Sequence, residues 1–349
     1  MPIEMKVYSS ATLHTFGVAV LEAMGAPRDE AMLVSDALLH GALHGHPGQG
    51  QGYNKLPRFW REIRGGAYRP GSPLESVAAG ATWVLLEGHN GLGPVVAAKA
   101  MDRAIALASE HGVGQVWVRG SNHLSSCGFH ALRAVEAGFI GICMTNAGPE
   151  LAPWGGTTPV LGTNPWAIAV PTRGEFPLLL DIALTQSGKG MIRWFQREGR
   201  PIPRNWAYAP DGRETDDAAL ALQGPLVPIG EFKGVGLSFM TDILTGVLIG
   251  AGYGVHTYAD PTRRNVGHFL MAVDPERFVG RDAFYDRLDD LMHQVWSTRR
   301  RPGVDAVYVP GELEYRRAQE RQRNGIPVDV AVVEELRDLA KELGVECPL

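Results

Sequence analysis

The stretch 112–171 constrains this chain more than any other, because glycines and prolines cut it into short pieces of clear pattern. Residues 113–118 are a β-branched run closed by Arg119 and Gly120, which predicts a strand ending in a turn. Ser121, Asn122 and His123 stand at its exit. From 129 to 137 apolar residues recur at helical spacing and stop at Gly138. Residues 139–145 form a second apolar strand, 146–159 a long loop rich in Gly, Pro and Thr, and 162–165 a turn into a strand at 166–170. His123 thus occupies a strand-to-helix corner, where a scaffold can hold a polar side chain against a ligand. Capping the helix or satisfying buried backbone is the other use of an imidazole there.

The flanking segments read as follows. Residues 10–24 and 28–43 are helical, with Ser9 or Ser10 capping the first and Gly25 stopping it, and the opening shows no strand alternation. The run from His44 to Tyr53 (HGHPGQGQGY) excludes regular structure and can bring backbone close to a ligand. A helix is expected at 56–63, a strand at 82–86, a turn at 88–93, and a long helix from Pro94 to 111. Residues 176–184 are a hydrophobic strand carrying Asp181, a helical segment runs from Lys189 to 197, and 201–230 is loop-like. Lys233 and Gly234 precede a buried helix at 235–250; its apolar run 237–251 is interrupted by polar residues and too short to span a bilayer. A strand at 268–273, a helix at 282–298, a short strand at 304–309 and helices at 313–324 and 330–343 complete the chain. The pattern predicts an α/β (α+β-like) core with a helical domain made from both termini: residues 1–80 completed by 285–349, around a core of 81–284.

Composition narrows the function classes. The chain has 349 residues, 45% hydrophobic and 20% charged, as an ordinary globular protein with ample core has. A net charge of −5, with no basic block beside aromatics, argues against nucleic acid. Cys127, Cys143 and Cys347 form no CxxC, which points to a reducing compartment and away from structural zinc. No signal peptide is visible, so the cytoplasm is the default.

Neither G-x-G-x-x-G after a strand nor G-x-x-x-x-G-K-[ST] occurs, so the Rossmann and P-loop fingerprints are missing, and G-x-S-x-G is absent too. His40 and His44 have the i, i+4 spacing of a helical zinc site, but Gly41, Gly45 and Pro47 are expected to disrupt that helix. His123 suits proton transfer beside a hydride step. Asp181, Lys189 and Lys233 each end an apolar element beside Gly or Ser, as binding residues do, although surface salt bridges would use the same residues.

Five segments, in order over most of the chain, resemble the type-2 malate/L-lactate dehydrogenase family: SNH at 121–123, GTNP at 162–165, Asp181 with Ser187 and Lys189, KGVGLSFMTDILTGVLIGAG from Lys233, and VPGELEYRRAQERQRNGIPV from Val309. The resemblance implies NAD or NADP bound on a mainly antiparallel, non-Rossmann sheet, a homodimer, and a small carboxylate substrate of the 2-hydroxy/2-oxo acid or cyclic imino acid class. It implies that His123 is catalytic and that Thr163, Asn164, Asp181, Ile182, Ala183, Lys233, Gly234, Pro310, Gly311 and Glu312 contact the cofactor. No metal is implied.

One departure falls near the N-terminus. The family carries Arg-Gly-x-x-Ser-His-Gly-x-x-Arg-Leu-Pro there. Aligned on Leu56 and Pro57, this chain has Gly50 at the Ser, Gln51 at the His and Lys55 at the Arg. Glutamine cannot shuttle a proton, and lysine is a point charge where arginine clamps bidentately. Gln51, Lys55, Lys189 and His44 are the substrate-side candidates. Two other readings compete: a metal-dependent lyase or hydrolase on the His40–His46 loop, and a diverged cofactor binder with little activity.

Overall fold

The computed structural model of the chain describes residues 3–50 and 52–349. Helices and a short strand come first: β1 (Met5–Tyr8), α1 (Ser10–Ala23), α2 (Arg28–His44) and α3 (Leu56–Arg64). The Ser9 hydroxyl accepts from the Thr12 N–H and so starts α1. Then follow β2 (Glu75–Ala79), β3 (Trp83–Glu87), α4 (Gly93–His111), β4 (Val113–Ser121), α5 (Cys127–Glu136), β5 (Ile140–Thr145), β6 (Trp166–Val170) and β7 (Leu178–Ile182). The last third holds α6 (Lys189–Glu198), α7 (Ala218–Ala221), α8 (Phe232–Thr245), β8 (Val266–Val273), α9 (Arg281–Trp296), α10 (Glu312–Asn324), β9 (Ile326–Asp329) and α11 (Val330–Leu343).

Seven strands make one sheet in the order β2-β3-β4-β8-β5-β6-β7. Only β3 and β4 are parallel, joined by α4; every other pair is antiparallel. The result is a mixed α/β fold with a mainly antiparallel sheet. Side chains alternate between its faces. Val116, Val118, Cys143, Ala167, Leu270 and Ala272 are fully buried under α4 and α5. Their neighbours Trp117, Ile142, Ile168, Phe269 and Met271 face the other way and are only half-buried.

A second apolar cluster joins α1, α2 and α3 to α11, with Ile326 of β9 and partly buried Tyr8 of β1. A small third one gathers Ile192, Ile202, Ala207, Ala218, Ala221 and Leu226.

Several expectations are corrected. The opening does contain a strand: β1 pairs antiparallel with β9, more than 300 residues on. A four-residue strand with so distant a partner leaves no local alternation to read. β2 pairs with β3 and is exposed throughout, so it has no apolar face. Residues 304–309 find no partner strand among the described residues and remain irregular. The glycine at 41 does not stop α2, which runs through His44. The short α7 interrupts the segment read as loop.

The largest correction concerns α8. It is not a buried helix: Gly234, Ser238, Thr241, Asp242 and Thr245 face inward, while Phe232, Phe239, Met240, Ile243 and Leu244 are exposed. With the next turn it makes an apolar run, Phe232–Ile249, that by length and composition alone could cross a membrane, and only 39% of that run is buried.

Candidate active site

The corner at the end of β4 is built by a break in the sheet. Pairing with β8 shifts register between Val118 and Ser121, and Gly120 takes φ +64°. Such bulges re-aim the residues that follow. Ser121, Asn122 and His123 then take three different tasks. The Ser121 hydroxyl meets Nε2 of the buried His268 at 2.8 Å, and Thr145 Oγ1 meets its Nδ1 at 2.8 Å. Asn122 Nδ2 donates to the carbonyls of Asn90 and Gly91 at 2.9 and 2.8 Å. This draws in the first turn of α4 so closely that a Cβ at Gly93 would stand 2.4 Å from the His123 carbonyl oxygen.

His123 is left half-buried. The Ser125 N–H donates to Nδ1 at 3.0 Å, from a backbone held at φ +77°. Lys55 Nζ lies 3.2 Å from Nε2 and 3.5 Å from Nδ1. Loss of solvent and the neighbouring charges of Lys55 and Arg58 hold His123 well below its usual pKa. Burial, with Arg58 adding repulsion, brings Lys55 down to about 7. His268, satisfied by its two hydroxyls, is pushed by burial down to about 3.

Arg58 was missed by sequence reading, although it sits three residues beyond Lys55 where α3 begins and so shares its face. Glu150, from the loop after β5, was missed as well. Burial raises its carboxyl, and Lys189, Arg193 and Arg58 oppose that rise. Lys189 opens α6 and thereby belongs to the same cluster.

The residues expected along the cofactor come from the loop before β6, from β7 and its exit, from α8 and from the start of α10. Asp181 Oδ2 accepts from Ser126 Oγ at 2.6 Å and from the Gly128 N–H at 3.0 Å. It thus caps α5 from β7 and ties the His123 loop to that strand. Past Ile182 and Ala183, Leu184 donates to the Thr163 carbonyl and accepts from the Ile229 N–H, just before Lys233 and Gly234. Asn164 is buried and structural: its Oδ1 accepts from Ala147 N–H and its Nδ2 donates to Ser238. Lys233 is exposed. The Pro310 carbonyl accepts from the Leu179 N–H of β7, and Gly311, at φ +89°, packs on Leu179. The Glu312 carboxylate is occupied by Trp296, Val309 and Arg316.

Other candidates lie elsewhere. The His44 ring stacks on His40 at 4.1 Å, its Nδ1 bonds the His40 carbonyl, and Arg317 bonds its backbone; among the described residues no hydrogen bond joins it to Lys55 or His123. His46 Nδ1 accepts from the Gly48 N–H. Among the described residues no group of three His, Cys, Asp or Glu side chains could hold a metal ion. Gln51 lies outside the described residues.

Comparison with known proteins agrees over nearly the whole chain. The family model described as malate/L-lactate dehydrogenase matches residues 8–337. A malate dehydrogenase of Pyrococcus abyssi is 36% identical over 343 residues, 96% of this chain and 94% of that protein. A (2R)-3-sulfolactate dehydrogenase (NADP(+)) of Chromohalobacter salexigens is 32% identical, covering 96% of this chain and 98% of its own. The crystal structure of malate dehydrogenase from Entamoeba histolytica superposes with a TM-score of 0.95 at 29% identity, covering 99% of this chain and 100% of that one.

Proposed function

This chain belongs to the malate/L-lactate dehydrogenase family, and from that premise we infer that it is an oxidoreductase exchanging a hydride between NAD or NADP and a small 2-hydroxy or 2-oxo acid. The observation that carries the reading is the contact of Lys55 with His123, beside Arg58, at the open end of β4. The nicotinamide, when bound, supplies or removes the hydride; the chain must position the acid and handle one proton.

Two buried atoms beside His123, Asn122 Oδ1 and Ser125 Oγ, have no partner among the described residues. An acceptor next to a hydroxyl suits a carboxamide. Asp181 spends only Oδ2 on Ser126 and Gly128, so Oδ1 remains to accept from a ribose hydroxyl. On these grounds Thr163, Asp181, Ile182, Ala183, Lys233 and Gly234 are the residues we place along the dinucleotide, on a sheet without the Rossmann fingerprint. Asn164, Pro310, Gly311 and Glu312 act behind them, as supports. We read the helices of both termini as one domain closing over this surface.

Arg58, Lys189 and Arg193 act on Glu150, Arg58 acts also on Glu62, and Lys55 has no carboxylate partner among the described residues. That surplus favours an acid with a second anionic group, as the malate and sulfolactate in the relatives' names have. The test is a panel of 2-oxo acids, with and without a second anionic group, run with NADH and with NADPH and followed at the nicotinamide absorbance. Turnover is expected with the dianionic acids; turnover with none sinks the reading.

The outer face of α8 and the half-buried side of the sheet fit a second copy of the chain. The inner face of α8 is bonded to the sheet layer, Trp166 Nε1 donating to Thr241 Oγ1 at 2.7 Å, so its exposed Phe239 and Met240, with Leu248 of the next turn, lack only a cover. Phe239→Asp with Leu248→Asp should convert a dimer to a monomer in sedimentation; a monomeric wild-type protein removes the homodimer.

A further inference from the structure

We propose that Lys55 gives and takes the proton of the reaction, while His123 stays neutral and offers its Nε2–H to the same substrate oxygen. This rests on the oxidoreductase reading above.

Nδ1 of His123 accepts from the Ser125 N–H at 3.0 Å, so the hydrogen of the neutral ring sits on Nε2. A second proton could enter the ring only at Nδ1, against that N–H. The strained turn at Ser125, φ +77°, holds the donor in place. His123 is therefore a hydrogen-bond donor and a poor base. Lys55 Nζ stands at 3.2 and 3.5 Å from the two ring nitrogens, distances too similar for it to lie on the axis of either. The Nε2–H thus points past Lys55, and one ligand oxygen can reach both groups.

Charge settles which of the two titrates. Among the described residues no carboxylate pairs with Lys55. Facing it are Arg58 from α3 and His123 from the β4 exit, with His268 behind the imidazole. Glu62 is engaged by Arg264, and Glu150 stands among Arg58, Lys189 and Arg193. Tyr68 and Tyr258, both pushed up by burial, stay neutral beside Arg58. This crowding and burial place Lys55 at about 7, where an acid–base group works best. Arginine in the same position would keep its proton throughout. In reduction of a 2-oxo acid, the hydride of the reduced dinucleotide makes the new C–H bond and the carbonyl π pair moves onto oxygen. The Lys55 N–H bond breaks to form O–H, and the neutral amine regains a proton from water. The dinucleotide is oxidised and the acid reduced.

The test uses the cofactor-free protein first. Trace acetylation across a pH series, read by mass spectrometry with Lys233 as internal reference, should show half-reaction of Lys55 near pH 7. Steady-state kinetics come second. Reduction by wild type should fall as pH rises through about 7 and oxidation should rise there. Lys55→Arg should lose both limbs and about 10² to 10⁴ in kcat with a smaller change in KM. His123→Gln, which still donates, should lose less. A Lys55 midpoint near the ordinary ~10.4, or a His123→Gln loss exceeding that of Lys55→Arg, overturns the assignment. Because labelling needs no turnover, inactivity with every acid counts against the oxidoreductase reading, whereas an ordinary midpoint counts against Lys55 alone.

Discussion

At the far turn of α3, Glu62 is 6% exposed and takes two hydrogen bonds from Arg264, at 2.8 and 2.5 Å. At its near turn, Lys55 and Arg58 approach His123, and among the described residues no carboxylate is paired with Lys55. One helix thus carries a matched buried pair and, at its start, a lysine without a carboxylate partner among the described residues; Arg58 lies between them, its Nε 3.9 Å from Glu62. The matched pair is finished within the chain and serves the join between α3 and the segment leading into β8. The unpaired lysine is what a stability argument would remove, since Arg58 beside it repels it in a low-dielectric site. Its place beside the half-buried His123 is why we propose an anionic ligand as its partner.

The contrast can be broken in three places. Arg264→Met leaves the buried Glu62 with Arg58 Nε alone, 3.9 Å away, and should cost about 3 kcal/mol in urea denaturation; a loss below about 1 kcal/mol would make the pair as dispensable as a surface one. Lys55→Met should act in the opposite direction. Folded Lys55 releases its proton at about 7, against an ordinary 10.5. Between those values the unfolded chain holds a proton that the folded chain has lost, so wild-type stability climbs with pH across that window. Below it the penalty is complete. The variant should therefore melt roughly 2–4 °C higher than wild type at pH 6, with the gap closing toward pH 10.5. A gap independent of pH would show that Lys55 is not strained by its surroundings. The smallest effect belongs to Ser126→Ala, which removes one partly open bond to Asp181 and should cost about 0.5 kcal/mol. Turnover should drop further than that figure implies, because the His123 loop loses one of its two ties to β7. Equal small losses in both would separate the loop from the chemistry.

Much of the frame was legible because it is local. The start of α1 at Ser10, the strand β6, the helix α11 and the strand-to-helix corner at His123 all follow from caps, stops and short-range periodicity. Lys55 was legible by its place before Leu56 and Pro57. Arg58 could have been read from its spacing to Lys55, and was not. The tie between Ser126 and Asp181 could not, since 55 residues separate them and neither motif hints at the other. The direction in which α8 faces was misread for a related reason. Hydropathy counts how apolar a helix is, not whether its own chain covers it.

The amino-acid order alone fixed the mixed α/β character, the family motifs and the imidazole at the end of β4, since each depends on neighbours a few positions away. Tertiary structure alone decided that β1 would pair with β9 and that the large apolar residues of α8 would face outward. It also brought the amine of Lys55 from the start of α3 onto the His123 ring, and no property of either residue's neighbours encodes that distance. Proton affinity depends on burial and on charges a few ångströms away, and those are set only when distant segments pack.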